Sequence, residues 1–183
     1  MLETGLIEQC APTLAGLKTA NLFSCRVSSE EMLNKEIRRL NRVLNGKGVY
    51  VELLLKKEDF ALIYVYRKSF LERDLQKEEV QKLLRRFGYH TEGIAYCIRQ
   101  LEKRLAECDG FPHEIGVFLG YPIQDVIGFI KHKGQNCKCC GIWKVYDNEQ
   151  ETVKLFEKLQ KCSRVYAKVF SEGRALSQMC VVA

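Results

Sequence analysis

The sequence predicts a single α/β domain of mixed (α+β) type, with a central mixed sheet that includes a hairpin and is flanked by helices. β-rich runs and amphipathic helical runs alternate along the chain. In "VYVELLLKKEDFALIYVYR", two β-rich runs surround a polar "KKED", which is typical of an antiparallel hairpin. No internal repeat, low-complexity block or long linker divides the chain. We therefore expect one domain over residues 1–173 and a loosely ordered C-terminal tail over residues 174–183.

The N-terminal segment "LIEQCAPTLAGLKT" predicts a short helix. Pro12 disfavours helical geometry at Ala11, so we expect this helix to break just after Cys10. The following "ANLFSCRV" predicts the first strand.

The segment "SSEEMLNKEIRRLNRVLNGKG" predicts an amphipathic helix. Ser28 or Ser29 can cap its N-terminus, the two glutamates that follow suit the positive end of the helix dipole, and Gly46 ends it. The spacing predicts an apolar face formed by Met32, Ile37, Leu40, Val43 and Leu44.

After the hairpin, "LQKEEVQKLLRRFGY" and "TEGIAYCIRQLEKRLAEC" predict two amphipathic helices. The mostly apolar "HEIGVFLGY" predicts a strand, and "PIQDVIGFIKHKG" predicts a short helix with Pro122 in its first turn.

The last part of the domain is predicted as one strand followed by a helix. "GIWKVYD" predicts the strand, and the helix spans "NEQETVKLFEKLQKCSRVYAKVFSEG", with a second element allowed after Cys162. The resulting order is β-α-β-β-α-α-β-α-β-α. Because the hairpin requires an antiparallel pair, a purely parallel doubly wound sheet is disfavoured.

Composition and charge restrict the class of protein. The 46% hydrophobic and 28% charged residues are typical of globular domains. We find no secretory leader and no run of apolar residues long enough for a bilayer, so we expect a cytoplasmic protein without a membrane partner. A net charge of +6 is compatible with nucleic acid, but 23 acidic residues are interspersed with the 29 basic ones. A basic interaction or nucleic-acid-binding module is thus disfavoured, yet left open.

The stretch "QNCKCCGIWKVYDN" is the sharpest chemical signal. Cys137 and Cys140 have C-x2-C spacing, which allows two thiolates to bind one zinc or iron ion. His132 and Cys162 could complete the ligand set, although no second C-x2-C exists. Lys138 favours thiolate formation, so reactive thiols are a second interpretation. Structural thiols are the third interpretation. Nine cysteines are an odd number, and disulfides are rare in the reducing compartment that we expect.

A thiol-dependent hydrolase or transferase is the enzymatic alternative. Cys10, His113 and then Asp147 or Asn148 follow the order used by papain-like thiol hydrolases, although the usual signature around the nucleophile is absent. The glycine-containing segments match no nucleotide-binding fingerprint. Lys18 lies near a loop, where a lysine can contact an anion.

Three segments together resemble one known family: "CAPTLAGLKTANLF", "FPHEIGVFLGYPIQDVIGFI" and "CCGIWKVY". They are similar to a bacterial domain of unknown function found mainly in anaerobic Gram-positive bacteria, and the likeness runs from about residue 6 to about residue 170. The resemblance implies a standalone cytosolic protein and assigns no activity. The matching motifs contain Cys10, Lys18, His113, Glu114, Cys140, Trp143 and Tyr146.

We therefore predict one site, built from the thiol- and histidine-bearing motifs, that binds a metal or a small ligand. Cys10 and His113 are the candidate catalytic residues, and Cys137 and Cys140 are the candidate metal ligands, with zinc or iron as the metal. The candidate ligand-binding residues are Lys18, Glu114, Trp143 and Tyr146. Whether the protein is an enzyme stays open.

Overall fold

The computed structural model describes residues 2–90, 92–108 and 110–182. The predicted domain start at residue 1, Thr91 of a predicted helix and the end of the predicted tail at residue 183 lie outside the described residues. The helices are α1 Leu2–Leu14, α2 Glu30–Leu44, α3 Lys68–Leu75, α4 Glu78–Arg86, α5 Ile94–Glu107, α6 Ile115–Phe118, α7 Ile123–His132, α8 Glu149–Ser171 and α9 Leu176–Met179. The strands are β1 Ala20–Arg26, β2 Val49–Lys57, β3 Phe60–Arg67, β4 Cys139–Cys140 and β5 Lys144–Val145.

A three-stranded sheet in the order β1-β3-β2 forms the centre of the fold. The predicted hairpin is confirmed as β2 and β3, and β1 pairs with the other edge of β3. All pairs among the described residues are antiparallel, because the hairpin connects β2 to β3 directly and β1 runs against β3. The predicted mixture of helices and strands in one α/β fold is confirmed.

Both faces of this sheet are buried, and β3 shows why. Its alternate residues point to opposite faces, as in any strand. Leu62, Tyr64 and Tyr66 enter one core cluster with residues of α3, α4, α5 and α6. Ala61, Ile63 and Val65 enter a second cluster with residues of α1, α2 and α9. The near-continuous apolar run of β3 is therefore the sequence signature of a strand covered on both sides.

The first helix is longer than the sequence predicts. α1 continues through Pro12 to Leu14, so the predicted break after Cys10 is wrong. Pro12 removes one donor from the helix, but burial of a whole helix face outweighs that loss. Leu6, Cys10 and Leu14 are all completely buried against the sheet.

The predicted second helix is confirmed, but part of its predicted apolar face is wrong. Ser29 caps α2 by accepting a hydrogen bond from the backbone N–H of Met32 at 3.4 Å. Met32 itself is 70% exposed, and Val43 is also exposed. The buried stripe is instead Leu33, Ile37, Leu40 and Leu44, which is the spacing expected for one helix face.

The predicted strand "HEIGVFLGY" is wrong, because residues 115–118 form the short helix α6. A short apolar run fits a buried helix turn as well as a strand, and periodicity alone does not separate them. Gly120 follows with a φ of +71°, and a Cβ there would lie 2.5 Å from Cβ of Thr19. This close approach brings the end of α6 against the beginning of β1.

In the C-terminal part of the domain, the predicted strand is shorter than expected and the predicted helix is observed. Only Lys144–Val145 of the predicted strand "GIWKVYD" pairs, and it pairs with Cys139–Cys140 in a separate small hairpin. The predicted last helix is α8, which runs without a break past Cys162 to Ser171, and the allowed second element after Cys162 does not form within it.

The C-terminal residues, predicted to be loosely ordered, contain α9 and contact the core. Met179 and Cys180 are buried. The guanidinium of Arg67, itself completely buried, donates to the carbonyl oxygen of Val181 at 2.8 Å and to that of Leu14 at 2.6 Å.

Among the described residues, no helix combines the length and the apolarity that crossing a membrane requires.

Candidate functional site

Three separate segments of the chain enclose a cavity of about 320 Å³, which we call the aromatic cavity. The loop before α6, helix α7 and the β4–β5 hairpin each supply part of its wall. Its lining consists of Phe111, Pro112, His113, Ile115, Gly116, Tyr121, Asp125, Val126, Phe129, Cys140, Gly141, Ile142, Trp143 and Lys144. Three residues predicted from sequence motifs, His113, Cys140 and Trp143, therefore line one cavity.

A buried carboxylate fixes the hairpin to α7. Asp125 lies in the first turn of α7 and is 2% exposed. Its Oδ2 accepts a hydrogen bond from Nε1 of Trp143 at 2.8 Å. Its Oδ1 accepts from the backbone N–H groups of Tyr146 at 2.7 Å and Asp147 at 3.0 Å. Asp125 was missed at the sequence level, because an acidic residue in a first turn is usually explained by the helix dipole alone.

Stacked rings form the rear wall of the aromatic cavity. The indole of Trp143 stacks on the ring of Tyr121, with centroids 4.7 Å apart, and meets the edge of Phe156 at 4.5 Å. Gly141 allows this approach, because a Cβ there would come within 2.3 Å of the Phe156 ring. The indole is thus held on two sides and by its hydrogen bond, which gives the cavity a rigid planar wall.

Polar groups are placed at the rim. The exposed imidazole of His113 meets the ring of Phe129 edge-on at 5.3 Å between centroids. The ammonium of Lys144 donates to the carbonyl oxygen of Gly134 at 2.6 Å and lies 5.9 Å from the Phe129 centroid. The thiol of Cys140 belongs to an exposed residue. The rim therefore offers an imidazole, an ammonium and a thiol next to an apolar interior.

A protein-family model matches most of the chain. The family described as "Protein of unknown function (DUF3793)" matches residues 6–180. This chain belongs to the DUF3793 family. The match bears out the resemblance to a domain of unknown function and extends through α9, beyond the expected limit near residue 170. No curated protein and no solved structure matches the chain.

Tyr146 and Glu114 lie in the DUF3793 match but are not among the residues lining the aromatic cavity. The Tyr146 ring stacks on His132 with centroids 5.7 Å apart, and a Cβ at Gly128 would lie 2.5 Å from its Cβ. Glu114 is completely buried, where its Oε1 accepts from the Tyr89 hydroxyl at 3.0 Å and from Nε of Arg104. These contacts show that Tyr146 and Glu114 pack against neighbouring side chains and do not line the aromatic cavity.

Cys10 and His113, the candidate catalytic pair, occupy different environments in this DUF3793 protein. Cys10 is completely buried in α1 and belongs to the core cluster on the opposite face of the sheet from α6. Burial raises the pKa of its thiol far above the ordinary range, with only a small opposing effect of Lys18. His113 is exposed at the aromatic cavity, and Cys10 is not part of that lining.

Lys18 is buried at the junction of β1 and the loop after α6. Its Nζ donates to the carbonyl oxygen of Leu119 at 2.9 Å and to that of Ala20. Burial lowers the pKa of its amine to about 7, partly offset by the neighbouring Cys10. Lys18 lines a second cavity of about 330 Å³, which shares Tyr121 and Trp143 with the aromatic cavity.

The geometry gives no support to the predicted metal site. Cys137 and Cys139 are half-buried and Cys140 is exposed. Within the part of the chain that the structure describes, no three histidine, cysteine or acidic side chains are grouped so that they could hold a metal ion.

The exposed basic residues of α2 and α4 include members of ion pairs, such as Arg39 with Glu36 and Lys82 with Glu78.

Proposed function

We propose that this protein binds a small, mainly apolar ligand with a flat ring in the aromatic cavity. The observation that carries the proposal is the convergence of His113, Cys140 and Trp143 on one cavity from two distant segments. All three residues lie in the sequence motifs described above. We place the binding in the cytoplasm, where a reducing environment keeps an exposed thiol such as Cys140 free.

The size and the chemistry of the cavity define the ligand class. A volume of about 320 Å³ lies at the lower end of the range of small-molecule sites. Most lining residues are apolar or aromatic, and Phe111, which is 56% exposed, offers a ring that a flat ligand can contact. A compact aromatic compound fits this combination better than a sugar or a nucleotide, which require many hydrogen-bonding partners.

The polar rim orients the ligand. His113 and Lys144 can each donate a hydrogen bond to an acceptor or an anionic group at one end of the ring. Asp125 does not compete for the ligand, because three N–H donors already occupy its carboxylate oxygens. We therefore expect ligands with an acidic or carbonyl group to bind more tightly than the bare hydrocarbon.

The intrinsic fluorescence of the protein provides a test. Trp143 is the only tryptophan of the chain and lines both the aromatic cavity and the second cavity, so its emission reports on this region of the protein. We use 1-anilinonaphthalene-8-sulfonate, an aromatic anion, as the probe. We expect saturable binding with one probe per chain and energy transfer from Trp143 to the bound probe.

A matched pair of variants locates the site. Ile142→Asp places a charge at the exposed edge of the aromatic cavity. Val165→Asp makes the same type of change at an exposed position of α8 that does not line this cavity. We expect Ile142→Asp to weaken probe binding by about tenfold or more, since an isolated charge resists desolvation by an apolar ligand. Equal affinities of the two variants, or no energy transfer from Trp143 in the folded protein, would overturn the proposal.

A further inference from the structure

The second cavity has a different chemical character from the aromatic cavity. Among the described residues that line it, Lys18, Arg73 and Lys77 are basic and Asp74 is the one acidic residue. Lys18 is buried, whereas the side chains of Arg73 and Lys77 are 65% and 57% exposed. The cavity thus combines a buried amine with an open, cationic side.

Two backbone carbonyl oxygens accept hydrogen bonds from the Lys18 amine. A neutral amine has two N–H donors and one lone pair, and two carbonyl oxygens, of Ala20 and Leu119, accept from Nζ. Within the described chain, Lys18 forms no ion pair with a carboxylate; its other neighbours include the thiol of Cys10 and the Tyr121 ring, with Nζ 5.0 Å from the ring centroid. An uncharged amine would therefore use both of its donors here and keep its lone pair for a reaction.

The neutral state is populated near neutral pH. Burial lowers the pKa of the amine to about 7, from a usual value of 10.5. At pH 7 the unprotonated fraction of Lys18 is therefore about a thousandfold larger than that of an ordinary surface lysine. An amine with an available lone pair is the form that attacks carbonyl groups.

The carboxylate of the cavity is already neutralised. Oδ2 of Asp74 accepts from the Thr19 hydroxyl at 2.6 Å, and Oδ1 accepts from Nζ of Lys77 at 2.7 Å. The guanidinium of Arg73 lies over the ring of Phe70, 4.9 Å from its centroid. The net positive charge at this opening favours an anionic ligand.

We propose that Lys18 forms an imine with a small aldehyde or ketone that carries an anionic group, held in this second cavity. The lone pair of Nζ attacks the carbonyl carbon, and a nitrogen–carbon double bond replaces the carbon–oxygen double bond. The carbonyl oxygen leaves as water with the two hydrogens of the amine, so the step requires no oxidant or reductant. The anionic group of the ligand contacts Arg73 and Lys77. This inference concerns a separate cavity and does not depend on the function proposed above.

Reductive trapping tests the proposal on the full-length protein. Succinic semialdehyde carries an aldehyde and a carboxylate, and butanal is its uncharged analogue of the same chain length. Each is incubated with the folded protein at pH 7 with sodium cyanoborohydride, which converts an imine to a stable secondary amine. Peptide mass mapping then locates the label. We expect succinic semialdehyde to label Lys18 first, saturably, and about tenfold faster than butanal does.

Two variants separate the charge effect from unspecific reaction. Arg73→Met removes a cation from the opening, and we expect the preference for succinic semialdehyde over butanal to fall several-fold at Lys18. Lys47→Met is the matched control, because Nζ of Lys47 also donates to two backbone carbonyls, of Ser177 and Cys180, away from this cavity. It should leave labelling of Lys18 unchanged.

The peptide map of the wild-type protein decides the outcome, so the test requires no variant of Lys18. Folded protein in which surface lysines are labelled and Lys18 is not would show that Lys18 only links the two carbonyl groups. Labelling of Lys18 by butanal as fast as by succinic semialdehyde would equally overturn the proposal, since no anionic group would be recognised.

Discussion

Nε1 of Trp143 donates a 2.8 Å hydrogen bond to Oδ2 of Asp125, and this bond joins the β4–β5 hairpin to the first turn of α7. The other oxygen of the same carboxylate accepts from the backbone of Tyr146 and Asp147. The buried side chain of Asp125 therefore positions both the indole of Trp143 and the residues that follow the β4–β5 hairpin.

We expect Asp125→Asn to destabilise the protein by about 1–3 kcal/mol. The amide has one acceptor oxygen in place of two, so its NH₂ group must face either the indole N–H or the two backbone N–H groups. Urea unfolding followed by circular dichroism measures the change. Trp143→Phe removes the indole donor together with part of the ring packing, and the double variant should lose less than the sum of the two single losses. Strictly additive losses would contradict a direct bond between the two side chains.

The stability of the protein should increase with pH between about pH 7 and pH 9 because of Lys18. Its amine has a pKa of about 7 in the folded protein and about 10.5 in the unfolded chain. In this interval the unfolded chain binds the extra proton, so each rise in pH favours the folded state by up to about 1.4 kcal/mol per unit.

The comparison with Lys18→Met isolates this effect. The variant also loses the hydrogen bonds to the carbonyls of Ala20 and Leu119, so its absolute stability will differ. The informative quantity is the slope of the free energy of unfolding against pH. Urea unfolding at several pH values measures this slope. Parallel pH profiles of the two proteins would contradict the lowered pKa of Lys18.

The cysteines should differ strongly in reactivity towards a thiol reagent such as dithionitrobenzoate. Cys140 is exposed, whereas Cys10 is completely buried and burial raises the pKa of its thiol. We expect Cys140→Ser to remove a fast phase in the folded protein and Cys10→Ser to leave the fast phase unchanged. Loss of the fast phase in Cys10→Ser would instead place a reactive thiolate in α1.

Gly128→Ala should destabilise the protein although alanine favours helices. A Cβ at this position in α7 would lie 2.5 Å from Cβ of Tyr146, an atom fixed close to the backbone. We expect a net loss of about 1–3 kcal/mol in thermal or urea unfolding. Gly46→Ala is the matched control, because nothing lies within 4 Å of its Cβ, and it should be neutral or slightly stabilising. Equal effects of the two changes would contradict close packing of Tyr146 on α7.

Local patterns predicted the elements that depend on local physics. The capped helix α2 follows from Ser29 and the spacing of its apolar residues, and the β2–β3 hairpin follows from two β-rich runs around a polar turn. The same reasoning failed at α1 and α6. In both segments the outcome depends on burial against the sheet, which compensates for Pro12 in α1 and selects a helix turn over a strand in α6.

The sequence by itself determined the fold class and the membership of a family of unknown function. It also gave candidates for one site: His113, Cys140 and Trp143 together with Cys10, Lys18, Glu114, Cys137 and Tyr146. Only the tertiary structure decided which candidates share a cavity, because contact between residues far apart in the chain depends on how α6, α7 and the β4–β5 hairpin pack. The same packing hid Asp125 from sequence reasoning and gave Lys18 its unusual chemistry. A carboxylate or an amine acquires such a role from its burial and from its hydrogen-bond partners. Neither the burial nor the partners can be predicted from the neighbouring residues in the sequence.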